Sequence, residues 1–335
     1  MQTERLSADA DGIRRAAALL TAGGIVAIPT ETVYGLAADA TNEAAILRVF
    51  AAKGRPQDNP LIVHIADLAD LPRLAKEIPD TAYALAKRFW PGPLTLVLKR
   101  TDAVADCVSA GLDTVAVRMP SHPVAREIIR ASVPLAAPSA NTSGAPSPTE
   151  AGHVLHDLDG KIDAVVLGDR CTVGVESTVV SLAVTPPRLL RPGGISAEQL
   201  REVLPDLVLD QAILHQPEPH ARVASPGMKY QHYAPQTKCF LVEGTGEQFI
   251  DYVNRKPACA ALCFSEEASR LTVPHLDYGR GSSAEELAQN LFAALCRADD
   301  FGVAEIYIHA PQKTGVGLAV YNRLIRAAAF QVISL

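Results

Sequence analysis

The densest potential chemistry in the sequence lies between residues 24 and 64. Lys53 and Arg55 stand two residues apart in Lys53-Gly-Arg55, and two cations so spaced at a helix end suit the oxygens of a phosphate chain. The spacing alone leaves a second reading open, a helix-terminal Lys interacting with the dipole beside a solvated Arg. The segment Pro138-Ser-Ala-Asn-Thr-Ser-Gly-Ala-Pro-Ser-Pro148 offers small hydroxyl, amide, Gly and Pro residues, a composition that brings backbone N–H groups and hydroxyls close to a ligand. No Gly-x-x-x-x-Gly-Lys-Ser/Thr occurs, so a nucleotide must be held another way. Arg118 follows Val115 and Val117 and precedes Met119, a setting where an unpaired charge is costly. Its planar fork suits a carboxylate, either a ligand's or that of a structural ion pair. His64, in a short apolar run, reads from its surroundings as a core histidine. His153 and His156 share a helix face without a third ligand nearby, which fits a surface pair better than a metal site.

These side chains need a scaffold, and the apolar pattern supplies one. Runs at 25–28 and 61–65 predict buried strands, and the span 42–52 between them predicts a helix with Asn42 as N-cap and Ile46, Leu47 and Phe50 on one face. That helix delivers Lys53 and Arg55 back toward the first loop, where open α/β sheets keep their sites. Further helices are expected at 7–22, 67–74, 80–90, 123–131, 149–158 and 196–204, and further strands at 94–98, 115–120, 135–138, 164–167 and 177–182. Residues 206–236 are Pro-rich and read as a linker, yet Lys229, Tyr230, His232 and Tyr233 are binding-capable and unusual for a mere spacer. From residue 237 strands and helices alternate, which predicts a small parallel-sheet unit.

Four blocks carry a resemblance. Pro29-Thr-Glu-Thr-Val-Tyr-Gly-Leu36, Lys53-Gly-Arg55, Pro138-Ser-Ala-Asn141 and Glu176-Ser-Thr-Val179 resemble, in order, the signature blocks of the threonylcarbamoyl-AMP synthase (YrdC-type) family. Ser225-Pro-Gly-Met-Lys-Tyr-Gln-His-Tyr-Ala-Pro235 and Gly315-Val-Gly-Leu-Ala-Val-Tyr-Asn-Arg-Leu324 resemble the linker and C-terminal domain of its long form. The resemblance implies a YrdC-like twisted open-sheet α/β domain at 1–205, a linker at 206–236 whose 221–236 stretch covers the site as a lid, and a smaller parallel-sheet, Rossmann-like α/β domain at 237–335. It implies a nucleotidyltransferase that joins L-threonine, bicarbonate and ATP into threonylcarbamoyl-AMP and pyrophosphate, for a downstream transferase that modifies transfer RNA. It places Lys53, Arg55, Ser139 and Asn141 around the ATP phosphates, with Asn59, Arg191, Thr114, Ser147 and Tyr230 as further nucleotide contacts. Thr32, His64, Arg118, Ala137 and Ser177 match the threonine contacts, and Mg²⁺ is carried by ATP rather than by protein side chains. Glu176 receives no role.

Composition sets the outer limits. The 335 residues, 48% hydrophobic and 20% charged, are ordinary globular material for two domains. No apolar run approaches a membrane span and the N-terminus lacks a signal-peptide core, so a cytoplasmic protein is expected. The six cysteines are scattered and read as buried, reduced thiols. Residues 1–205 carry 20 basic and 23 acidic side chains, a balance that argues against the alternative of a double-stranded RNA-binding protein. A second alternative, a carbamoyl-phosphate-using transferase with a related domain, lacks its expected zinc-finger cysteine pairs and acylphosphatase-like segment here.

Overall fold

A computed structural model describes residues 2–216 and 233–335 of the chain. Tyr230, and the expected lid apart from residues 233–236, lie outside the described residues. In chain order the first unit contributes strands β1 (Glu4–Ser7), β2 (Val26–Ile28), β3 (Gly35–Asp39), β4 (Ile62–His64), β5 (Leu94–Lys99), β6 (Thr114–Arg118), β7 (Leu135–Ala136), β8 (Ala164–Leu167), β9 (Thr178–Ser181), β10 (Arg188–Arg191) and β11 (Val208–Leu209). They form one mixed sheet in the order β1-β8-β2-β3-β7-β4-β6-β5-β9-β10-β11.

Strand β3 is where the structure departs most usefully from the sequence reading. Gly-Leu-Ala-Ala-Asp has little intrinsic strand preference. Two partners impose the conformation: β2 on one side, with Ile28 opposite Gly35, and β7 on the other, with Ala38 opposite Ala136. Residues 29–34 therefore form the turn of a buried hairpin, a tight place to hold the hydroxyls of Thr30 and Thr32. The helix Glu43–Lys53 begins at Asn42, whose side chain accepts from the Ala45 N–H, and ends at Gly54 in the left-handed conformation at φ 60°. That glycine reverses the chain within one residue, which is why Lys53 and Arg55 both return to the sheet.

The second unit is a five-stranded, wholly parallel sheet of β12 (Lys238–Glu243), β13 (Cys259–Cys263), β14 (His275–Asp277), β15 (Glu305–His309) and β16 (Val332–Ser334), in the order β14-β13-β15-β12-β16. Helices Gly246–Asn254, Ala284–Ala298 and Gly317–Ala327 cover it, as the alternating pattern predicts. No helix among the described residues is long and apolar enough to cross a membrane.

The two sheets meet through buried contacts rather than a loose hinge. Val33 and Val175 of the first unit share a core cluster with Tyr233, Leu291 and Phe292. Gly174, at φ 78°, lets the backbones touch: a Cβ there would fall 2.4 Å from the Ala288 carbonyl oxygen. The first unit's sheet also runs past the boundary expected at residue 205, because β11 pairs with β10 and Ile213 is buried against the same core. Of the six cysteines, all free, Cys171, Cys239, Cys259 and Cys263 are buried as expected, whereas Cys107 and Cys296 are only half-buried.

Candidate active site

The turn at residues 29–34, the Lys53-Gly-Arg55 corner, the carboxyl ends of β4 and β6, the 138–147 loop and the start of β9 close around one cleft. Of the expected site residues, Thr32, Lys53, Arg55, His64, Arg118, Ala137, Ser139, Asn141, Ser147, Ser177 and Arg191 line it. Asn59 does not; it is buried behind Arg55, whose Nη2 donates to the Asn59 and Pro60 carbonyls at 3.3 and 3.2 Å. Thr114 is not brought to the lining either. It sits at the far end of β6, on the same face as Ala116 and Arg118 but four residues, about 13 Å, from the latter.

Lys53 occupies a position that spacing did not reveal. Its Nζ is wholly buried and donates to the carbonyls of Ser139 and Asn141, both at 2.5 Å, so it fastens the hydroxyl-rich loop to the helix end. Burial, and then the neighbouring Arg55, push its ammonium well below the usual lysine range. Asn141 braces the loop from within, its Nδ2 donating to the Thr142 and Ala145 carbonyls at 2.8 and 2.9 Å, which leaves its buried Oδ1 without a protein partner.

At the other end, Arg118 is 4% exposed and the ion-pair reading of it holds, with one edge of the guanidinium turned to the cleft wall. Nη2 lies 2.7 Å from Glu31, and Nη1 donates to Thr32 Oγ1 at 2.9 Å on the cleft wall. Thr30 Oγ1 donates to the Val33 carbonyl at 2.6 Å, so in the 2.9 Å contact between the two threonine hydroxyls Thr32 is the donor. The order Arg118 to Thr32 to Thr30 to Val33 fixes every hydroxyl hydrogen in this corner. Burial raises the Glu31 carboxyl and Arg118 more than reverses it, so Glu31 stays ionised.

His64 is buried, with Nδ1 3.2 Å from the Ile62 carbonyl, a contact that requires Nδ1–H and leaves Nε2 as an acceptor. Burial, with Arg118 nearby, lowers its pKa to about 3. Because the folded value lies below the unfolded 6.5, the stability this confers is present above about pH 6.5 and is lost as pH falls toward 3. In denaturant melts from pH 6.5 down to 3, His64→Gln is expected to flatten the acid limb by up to about 1.4 kcal/mol per pH unit. An unchanged limb would show that His64 does not titrate with unfolding.

Arg191 reaches the cleft through a backbone irregularity. Between Leu189 and Arg191 the register with β9 shifts, so Leu189 pairs with Val180 on the core face whereas Arg191 pairs with Val179 on the opposite face. Its Nε donates to the Ser177 carbonyl at 3.0 Å and its Nη2 to Ser177 Oγ at 3.2 Å. Burial brings its pKa down to about 10, still charged at neutral pH.

The residue left without a role is central. Glu176 lines the cleft, accepts from Ser147 Oγ at 2.6 Å and from Arg323 Nε at 2.8 Å. Burial raises its carboxyl, but Arg323 and then Arg191 outweigh this and hold it at about 2. Tyr233 also lines the cleft, its ring 5.2 Å from that of Phe292. The part Glu176 plays was not legible in advance, since its partner lies 147 residues away, whereas Tyr233 belongs to the binding-capable group noted in the sequence. His153 and His156 are local: the first accepts from the Thr149 N–H at 3.4 Å and the second is exposed beside Asp157. Among the described residues no group of three His, Cys, Asp or Glu is placed to hold a metal.

Comparison with known proteins covers both units. Residues 18–193 match the Sua5, YciO and YrdC family described as "Telomere recombination", and residues 195–329 match the "Threonylcarbamoyl-AMP synthase, C-terminal domain". The threonylcarbamoyl-AMP synthase of Pyrococcus abyssi is 47% identical over 96% of this chain and 95% of its own. That of Bacillus subtilis is 46% identical over 99% and 97%. The crystal structure of the Pyrococcus abyssi protein Sua5 complexed with L-threonine superposes with a TM-score of 0.91, at 42% identity and over the full length of both chains. With both units matched in order and the relatives covered almost end to end, the chain belongs to the threonylcarbamoyl-AMP synthase family, in its two-domain form.

Proposed function

We infer that this chain is a threonylcarbamoyl-AMP synthase, using ATP, L-threonine and bicarbonate. The observation that carries the reading is the meeting, in one cleft, of the buried Arg118 guanidinium beside Thr32 with a cationic, amide- and hydroxyl-rich end at Lys53, Arg55, Asn141 and Arg191. The relatives' name supplies the reaction, and the full-length match favours it over carbamoyl transfer or RNA binding.

In this reading the threonine carboxylate lies against Arg118, with Thr32, His64, Ala137 and Ser177 around its amine and hydroxyl. Neutral His64 offers Nε2 as an acceptor, which suits an N–H or O–H group. The amine nitrogen bonds to the carbon of bicarbonate and water leaves, giving a carbamate. A carbamate oxygen then attacks the α-phosphorus of ATP, the bond from that phosphorus to the bridging oxygen breaks, and pyrophosphate departs. Arg55 and Arg191 stabilise charge on the phosphates, and Ser139, Asn141, Ser147, Asn59, Thr114 and Tyr230 complete the nucleotide contacts. Lys53 acts twice, as a cation and as the clasp of the loop. Mg²⁺ enters with ATP as part of the substrate. Catalysis is then positioning and electrostatic stabilisation, with no covalent nucleophile. We place the enzyme in the cytoplasm, delivering its product to a transferase that acts on transfer RNA, and assign catalysis to the first unit and support to the second.

The test is pyrophosphate release from ATP together with mass spectrometry of the product. Release should require both threonine and bicarbonate and should accompany a threonylcarbamoyl adenylate. Release that ignores threonine, or turnover with carbamoyl phosphate in place of bicarbonate, would overturn the assignment.

A further inference from the structure

The helix Gly317–Ala327 is an unusual object for a peripheral domain: Asn322, Arg323 and Arg326 are 3%, 0% and 4% exposed, and all three face the first unit. Asn322 Nδ2 donates to the Ile213 carbonyl and Arg326 Nη2 to that of Ala212, each at 2.7 Å. Arg323 goes further. Its Nη1 donates to the Pro192 carbonyl at 2.8 Å, its Nη2 to the Glu176 carbonyl at 3.3 Å and its Nε to the Glu176 carboxylate at 2.8 Å. Docking alone would be served by backbone acceptors. A charge committed to the one carboxylate in the cleft that also takes the Ser147 hydroxyl hydrogen does something more specific.

We propose that Arg323, supplied by the C-terminal unit, is a positioning residue for the nucleotide end of the cleft: it clamps Glu176, which in turn fixes the Ser147 hydroxyl as a hydrogen-bond acceptor toward the ligand. An ionised carboxylate only accepts, so the Ser147 hydrogen is spent on Glu176 and its oxygen faces the cleft as an acceptor for a ribose hydroxyl or similar donor. A protonated Glu176 could donate to Ser147 instead, freeing the serine hydrogen and reversing what the cleft presents. The groups that face Glu176 are Arg323 from the helix, Arg191 from β10, Ser147 from the loop, Tyr233, and Lys53 at longer range. Without Arg323 the buried carboxylate keeps only the more distant cations, so its protonated form gains ground at neutral pH. The C-terminal unit is thereby part of the nucleotide site although it lines none of it. This rests on the reading that ATP lies along Ser147.

The experiment uses the full chain and compares parent, Arg323→Met, Arg323→Lys and the charge-neutral pair Arg323→Met/Glu176→Gln, with KM for ATP and for threonine measured from pH 6 to 9. For Arg323→Met the ATP KM should rise roughly ten-fold at pH 7, the size of one hydrogen bond, with the threonine KM within about two-fold. It should fall back as pH rises and Glu176 ionises, while the parent stays flat. Arg323→Lys should stay near the parent, and the double variant should show a raised but pH-independent ATP KM. An ATP KM in Arg323→Met that stays at the parent value or does not vary with pH, or equal losses for both substrates, would overturn the proposal. Breaking a buried pair can prevent folding; if Arg323→Met shows no cooperative melt, the double variant decides, a parent-like ATP KM refuting the role and a raised flat one supporting it. A parent chain that makes no threonine-dependent pyrophosphate overturns the functional reading itself, a separate outcome.

Discussion

Removing the Arg118 side chain is expected to raise the threonine KM about 10- to 150-fold, with the ATP KM changed only a few-fold. The range converts a charged hydrogen bond of about 1.5–3 kcal/mol into an equilibrium factor. The opposing consideration is structural, because Arg118 also neutralises Glu31, and both are nearly fully buried. Truncating one partner of such a pair commonly costs about 3–5 kcal/mol of stability, since the other charge stays behind. Arg118→Ala by itself therefore confounds binding with folding. Combining it with Glu31→Gln removes the stranded charge while leaving the carboxylate clamp absent, and Arg118→Lys keeps the charge but loses the planar fork and the contact with Thr32. If the clamp matters, the threonine defect persists in the double variant after its stability has recovered, and Arg118→Lys falls between. Recovery of threonine KM along with stability would assign Arg118 to the ion pair alone.

What the sequence disclosed follows from what is local. Apolar runs marked β2, β4, β5 and β8, and periodicity most of the helices, because each carries its own buried residues. Caps were legible where a single residue makes them, as at Asn42. The strands that escaped are those whose conformation is imposed by neighbours: β3, weak in strand formers but paired on both sides, β10, held between β9 and β11, and the short edges β1, β11, β14 and β16, where residues are half-exposed and little apolar pattern exists. The site divides the same way. Lys53-Gly-Arg55 and the 138–148 loop announce themselves by composition, and Arg118 by a charge within an apolar run. Glu176 and Arg323 lie inside blocks that carry the resemblance, but their pairing does not show, because a buried ion pair across 147 residues leaves no mark in either segment. The facing of Arg191 depends on a one-residue register shift that apolar alternation cannot show.

Lys53→Met is expected to lower turnover by roughly 10²–10³-fold, the scale of removing one preorganised donor from a developing anion, while threonine binding remains measurable. Two contributions compete, loss of a positive charge beside the phosphates and loss of the clasp on Ser139 and Asn141. A rate alone does not separate them, but proton uptake does. In the free protein burial and Arg55 hold the Lys53 ammonium well below its usual range. Polyphosphate oxygens arriving nearby favour the charged form and raise that value again. At pH values between the free-protein and bound values ATP binding must then draw in a proton, and ATP affinity weakens as pH rises through that window. Calorimetry of ATP binding in two buffers of different ionisation enthalpy, at pH 7 and pH 9, measures this directly. The parent should take up protons and Lys53→Met should not. A parent that binds ATP with no proton exchange at either pH, or a Lys53→Met chain turning over at the parent rate, would remove Lys53 from the phosphate site and leave it only the loop.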